Sequence, residues 1–152
     1  MKRKEERLKV YISGPLTDKK TSEVSDENRI AFGRAQCLIK KEGYYDVINP
    51  TRVWACRYPW IYRAMERVFG KSLAYKLVLL YDVILLLRCS RIYKIPGWRE
   101  SRGASIESNI AYHFDIWPLP VIKRERIDRK LAKAMEKWRE KNAVNPEQQS
   151  ER

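Results

Sequence analysis

The chain has 152 residues, of which 44% are hydrophobic and 34% charged, and it carries a formal net charge of +13. That length and composition fit one ordinary domain with a real core and exclude a globally unfolded chain. The positive charge favours an anionic partner, whether nucleotide, nucleic acid or membrane surface, but it is spread along the chain, with a net +3 in residues 2–9 and +4 in residues 123–152, and a diffuse excess points less to nucleic acid than a clustered stripe would.

A basic leader, residues 1–7, precedes a single domain expected over 8–141, and a disordered tail is expected over 142–152. Residues 8–13 (LKVYIS) read as a strand stopped by Gly14-Pro15. Residues 16–25 are polar and without period, hence a loop. Residues 26–41 read as a helix, capped by Ser25 or Asp26, with Ile30, Ala31, Ala35, Leu38 and Ile39 on its apolar face and Gly43 ending it. Residues 45–48 (YDVI) are a second strand, closed by Asn49-Pro50. The aromatic-rich stretch 51–70 (Trp54, Tyr58, Trp60, Tyr62) reads as irregular, followed by a short helix ending near Gly70. Residues 72–89 form a strongly apolar helix and 91–95 (RIYKI) a third strand, stopped by Pro96-Gly97. A helix over 103–114, a fourth strand over 119–122 and a charged helix over 125–141 complete the series. Strands that alternate with helices imply an α/β fold with a mostly parallel sheet and helices on both faces. In such sheets a ligand sits beyond the carboxyl ends of the strands, where Gly14, Asn49 and Gly97 fall.

Cys37, Cys56 and Cys89 are odd in number and far apart, and His113 is the single histidine. Neither a zinc site nor a disulfide framework is expected, and the thiols read as ordinary core residues of a cytoplasmic protein. The longest apolar run, residues 77–87, is interrupted by Asp82 and too short to span a bilayer.

The stretch 96–107, PGWRESRGASIE, leaves a strand through a glycine loop and enters a helix whose first turn presents unpaired N–H groups and the positive end of its dipole. Ser101 and Gly103 lie where an anion would dock, the serine offering a hydroxyl and the glycine a close backbone approach. Glu107 follows about one turn later. The dipole there favours its ionised form by roughly 0.3–1 kcal/mol, and a carboxylate held ionised beside a sugar is what a glycosidic nucleophile requires. The competing reading of Glu107 is a solvent-facing helix residue. Asp82 is either tied up in a structural contact or turned into a pocket as a proton donor. Alternation puts Tyr11 and Ser13 on one face of the first strand, where Tyr11 reads equally as core. Trp98 is a wall for a flat base or a loop anchor, and His113 reads as structural.

YISGPLT at 11–17, INP at 48–50 and PGWRESRGASIE at 96–107 resemble the nucleoside 2-deoxyribosyltransferase-like superfamily over about residues 10–122. The resemblance implies a flavodoxin-like (Rossmann-like) three-layer sandwich that assembles as a homodimer or larger. It implies that Glu107 attacks the anomeric carbon, that Asp82 protonates the departing base, and that Tyr11 stands near the nucleophile. Ser101, six positions before the glutamate, is similar to the serine of members that act on nucleoside 5'-monophosphates. The chain departs from the pattern at Ser90, where many members have an aspartate. The expected function is therefore an N-glycosidase of a nucleoside 5'-monophosphate, without metal or organic cofactor and without a membrane role. Tyr11, Asp82 and Glu107 would be catalytic, and Ser13, Gly14, Asn49, Gly97, Trp98, Ser101 and Gly103 would bind substrate. The rival readings are a non-catalytic nucleotide sensor and a nucleic-acid-binding protein. Weak contact with nucleic acid is compatible with all three.

Overall fold

A computed structural model describes residues 7–17, 25–43, 45–52 and 59–143. Among them, four strands form one all-parallel sheet in the order β2-β1-β3-β4. The strands are β1 (Leu8–Ser13), β2 (Tyr45–Ile48), β3 (Arg91–Lys94) and β4 (Trp117–Pro118). The helices are α1 (Asp26–Glu42), α2 (Pro59–Phe69), α3 (Lys71–Leu87), α4 (Arg102–His113) and α5 (Val121–Ala143). This is an α/β fold consistent with the flavodoxin-like three-layer arrangement, and its strand order reverses at β1, between β2 and β3.

The alternation of β1 builds two different cores. Val10 and Ile12 face α1 and α5, where Phe32, Ala35, Ile39, Ile127 and Leu131 close the larger cluster with Tyr93 and Ile95. Tyr11 faces the other way and packs with Leu86, Cys89, Ile92, Ala111 and Ile116 beneath α3 and α4. The larger layer is further tied by Arg126 and Lys130 of α5, which donate to Glu42 of α1 at 2.9 and 2.8 Å.

Helix ends follow the local chemistry. Ser25 caps α1 by accepting from the Asn28 N–H, and Ser101 caps α4 by accepting from the Ala104 N–H. Gly97 has φ of 87°, a left-handed turn that glycine adopts without strain, before a 3₁₀ turn at Trp98–Glu100. Gly14 serves a different need. A Cβ there would stand 2.9 Å from Ile95 Cβ, so the ends of β1 and β3 approach only because position 14 has no side chain.

Three expectations are corrected. The fourth strand is Trp117–Pro118, and Val121 and Ile122, read as its end, instead open α5, where they are 56% and 74% exposed. A short apolar run does not by itself distinguish a strand from the first turn of a helix, and here the turn beginning after Pro120 prevails. Cys37 lies exposed on α1 and is no core thiol, whereas Cys89 is buried. The expected helix 125–141 extends at both ends, so that residues 142 and 143 belong to α5 rather than to a tail. The leader up to residue 6, most of the 16–25 loop, residues 53–58 with Trp54, Cys56 and Tyr58, and the tail from 144 lie outside the described residues. No helix among the described residues is long and apolar enough to cross a membrane.

Candidate active site

Glu107 sits in the second turn of α4 and points inward rather than to solvent, with 6% exposure. Two hydroxyls from β1 hold it. Tyr11 donates to Oε1 at 2.8 Å, and Ser13 donates to Oε2 at 2.6 Å. Both donors come from the face of β1 that alternation assigns to one side, so a six-residue strand delivers two hydrogen bonds to one carboxylate.

Burial changes the electrostatics expected from the helix position. Desolvation raises the Glu107 carboxyl to about 7, against the lowering pull of the Ser13 and Tyr11 hydrogen bonds. The expectation that the helix dipole holds it ionised is thus corrected: a dipole contribution of roughly 0.3–1 kcal/mol is outweighed by removal from water. Asp82, half-buried on α3, is raised further, to about 8, by burial first and by the Glu107 charge second. Tyr11 is held well above its ordinary value by burial and then by Glu107 and Asp82, and so remains a donor. The mutual influence of these three groups places Asp82 within electrostatic reach of the Tyr11–Glu107 pair. Burial raises both carboxyls, Asp82 the further, and the Glu107 charge adds to the rise at Asp82, so the two groups do not ionise together.

The remaining expected residues divide. Ser101 stands at the N-terminus of α4, where its hydroxyl oxygen caps Ala104 N–H at 3.4 Å. Gly103 follows within that first turn, and a Cβ there would lie 3.6 Å from the Tyr75 hydroxyl, an ordinary contact. Ser13 is engaged with Glu107, and Gly14 and Gly97 shape the strand ends. Asn49 makes its contacts elsewhere: its side chain accepts from Thr51 N and Oγ1 at 3.0 and 2.7 Å and donates to Gln36 at 3.2 Å, closing the turn after β2. Trp98 is engaged by cations, with the Lys94 ammonium 4.2 Å from its ring centre. His113 is exposed at the end of α4, its ring edge-on to Tyr112. Ser90 ties its backbone N–H and hydroxyl to the Lys9 carbonyl at 3.1 and 3.3 Å, which makes the departing position a structural one.

Sequence reasoning missed Lys94, Ser108 and Tyr75 as neighbours of the site. Lys94 was within reach of the same alternation that placed Tyr11 and Ser13, because it pairs in register with Ser13. Among the described residues, no group of three or more His, Cys, Asp or Glu side chains gathers at metal-ligating spacing.

Fold and site together define a parallel α/β domain with a buried, hydroxyl-held glutamate at the point where strand order reverses. The chain belongs to the family described as Domain of unknown function (DUF4406), whose model matches residues 8–117. That match covers β1 to β3, every expected site residue and the first residue of β4, and it stops before α5. Neither the curated proteins nor the solved structures yield a match.

Proposed function

We propose that the protein is an N-glycosidase that cleaves or exchanges the base–sugar bond of a nucleoside 5'-monophosphate, with Glu107 as nucleophile and Asp82 as acid. The observation that carries this reading is the pairing itself: a buried carboxyl at about 7, oriented by two hydroxyls, beside a second carboxyl at about 8. In the first step Glu107 attacks C1', the C–N bond breaks, and the departing base takes its electron pair and the Asp82 proton. In the second step water displaces Glu107 and returns a proton to Asp82, or a second base captures the sugar phosphate. The N–H groups of the first turn of α4, with Ser101 and Gly103, would receive the 5'-phosphate.

The reading extends to a homo-oligomer acting in the cytoplasm. α3 turns Leu80, Ile84 and Leu87 outward with 56%, 48% and 43% exposure, an apolar stripe that a second copy could cover. Free Cys37 and Cys89 agree with a reducing compartment.

The test is a chromatographic screen of the purified protein against the common ribo- and deoxyribonucleoside 5'-monophosphates, with and without an acceptor base. Release of free base by the wild type and none by Glu107→Gln is the expected outcome. Full activity in Glu107→Gln would overturn the assignment.

A further inference from the structure

Lys94 ends β3 and lies in register beside Ser13. Its half-buried ammonium donates to the Ser108 hydroxyl at 3.1 Å, one residue along α4 from Glu107. The same ammonium stands 4.2 Å from the centre of the Trp98 ring, and the Arg99 guanidinium stands 5.5 Å from that ring. Arg124, from the first turn of α5, is near enough to act on both Lys94 and Tyr93. Burial, then the charges of Arg124 and Arg99, hold the Lys94 ammonium below its ordinary value.

Lys94 and Arg99 therefore flank one indole, with Arg124 within electrostatic reach of Lys94, and none of the three has an ion pair among the described residues. The basic residues of α5 that do find carboxylates are Arg126, Lys130 and Arg139. Asp128, one turn along α5 from Arg124, accepts instead from the Tyr93 hydroxyl at 2.6 Å. Like charges held together and partly desolvated repel one another, and the ring quadrupole offsets only part of that cost. An anion offers the missing partner, and a phosphoryl group matches an ammonium and two guanidiniums through charge-assisted hydrogen bonds. The place is apt, since the cluster lies at the carboxyl end of β3 and the start of the helix that follows β4.

We propose that Lys94, Arg99 and Arg124 form a binding site for a phosphoryl group, organised around Trp98 and distinct from the N-terminus of α4. The ligand class is a small phosphorylated anion. The proposal goes beyond the reading of Glu107 as nucleophile and does not rest on it.

Calorimetric titration of the full chain with inorganic pyrophosphate, at constant ionic strength, tests it. Saturable binding is expected, weakened about tenfold or more in Lys94→Met, Arg124→Met and the exposed Arg99→Met. The double variant Lys133→Met/Lys137→Met, which removes two exposed charges from elsewhere on α5, is expected to bind within about twofold of wild type. Absence of saturable binding, or equal weakening in the Lys133/Lys137 variant, overturns the site and leaves only diffuse charge. Pyrophosphate binding that persists beside a saturating nucleoside 5'-monophosphate is expected, and competition between the two would overturn a site distinct from the N-terminus of α4. Base release in the screen above is a separate readout, so failure of one proposal does not imply failure of the other.

Discussion

Tyr11 and Glu107, 96 positions apart in the chain, meet in a buried hydrogen bond of 2.8 Å from phenol to carboxylate. Ser13, two residues along the same strand, takes the other oxygen at 2.6 Å. Both bonds favour the ionised carboxylate and lower its pKa against burial. Tyr11→Phe and Ser13→Ala are each expected to push the Glu107 carboxyl above about 7 and to move the acid limb of the kcat/KM profile to higher pH. Each should also cost about 1–3 kcal/mol in denaturant unfolding, more at pH 8 than at pH 5, because the cost falls chiefly on the charged form. An acid limb that stays in place in both variants would remove these hydroxyls from the mechanism.

On the proposed mechanism Asp82 sets the other limb. With Glu107 at about 7 and Asp82 at about 8, base release should follow a narrow bell, rising as Glu107 ionises and falling as Asp82 loses its proton. Asp82→Asn is expected to abolish the alkaline limb and to lower kcat by about 10²–10⁴-fold, the usual contribution of a general acid. A variant that keeps the alkaline limb would show that another group donates the proton.

The same two carboxyls should appear in the pH dependence of stability. Both have folded values above their unfolded ones, about 7 against 4.5 for Glu107 and about 8 against 3.8 for Asp82. The unfolded chain therefore releases these protons first, and stability falls as pH rises from about 4 to 8 and levels off above that. The Glu107 share is roughly 3 kcal/mol. Glu107→Gln and Asp82→Asn should each reduce the loss of Tm between pH 5 and pH 8, measured by circular dichroism. A wild-type loss retained by both variants would place the linkage elsewhere.

Much of this was legible in the sequence, for reasons that particular residues make plain. Period-2 alternation in LKVYIS put Tyr11 and Ser13 on one face, and that face does meet Glu107. The order of turn residues and apolar runs gave three of the four strands. What remained hidden depends on distance across the fold. Burial of Glu107 is set by the residues that β1, α3 and α4 bring around it, so local helix position suggested an exposed, ionised carboxylate instead. Residues 119–122 carried an apolar run but no period long enough to separate strand from helix. The convergence of Lys94, Arg99 and Arg124 joins β3, the following loop and α5, which no local pattern connects.

Gly14 tests the close approach of the two central strands. A Cβ at this position would stand 2.9 Å from Ile95 Cβ and 3.3 Å from Ile95 Cδ1, and the nearer atom is fixed to the backbone. Gly14→Ala is expected to force the strand ends apart and to cost about 1–3 kcal/mol, the range for overpacking a filled site. Since Ser13 precedes it, the same shift should lengthen the Ser13–Glu107 bond and move the acid limb of the rate profile upward. The double variant Gly14→Ala/Ile95→Gly removes the Ile95 Cβ that clashes and should recover the position of that limb, though not the full stability. A Gly14→Ala protein as stable as wild type, with an unmoved limb, would show that the strand ends carry no such constraint.

The outward face of α3 tests assembly. Leu80 and Ile84 lie one turn apart with 56% and 48% exposure, on the helix that carries half-buried Asp82 between them. If a second copy covers this face, the wild type should elute and scatter as a dimer or larger, and Leu80→Glu/Ile84→Glu should shift it to a monomer, because each buried carboxylate would cost several kcal/mol without a partner. The burial that raises Asp82 lies within the single chain, so dissociation leaves it in place. The monomeric variant is therefore expected to keep its alkaline limb near the single-chain value of about 8. Light scattering and the pH–rate profile check the two consequences separately. A wild type that is monomeric at assay concentrations would refute assembly through α3, whatever its activity.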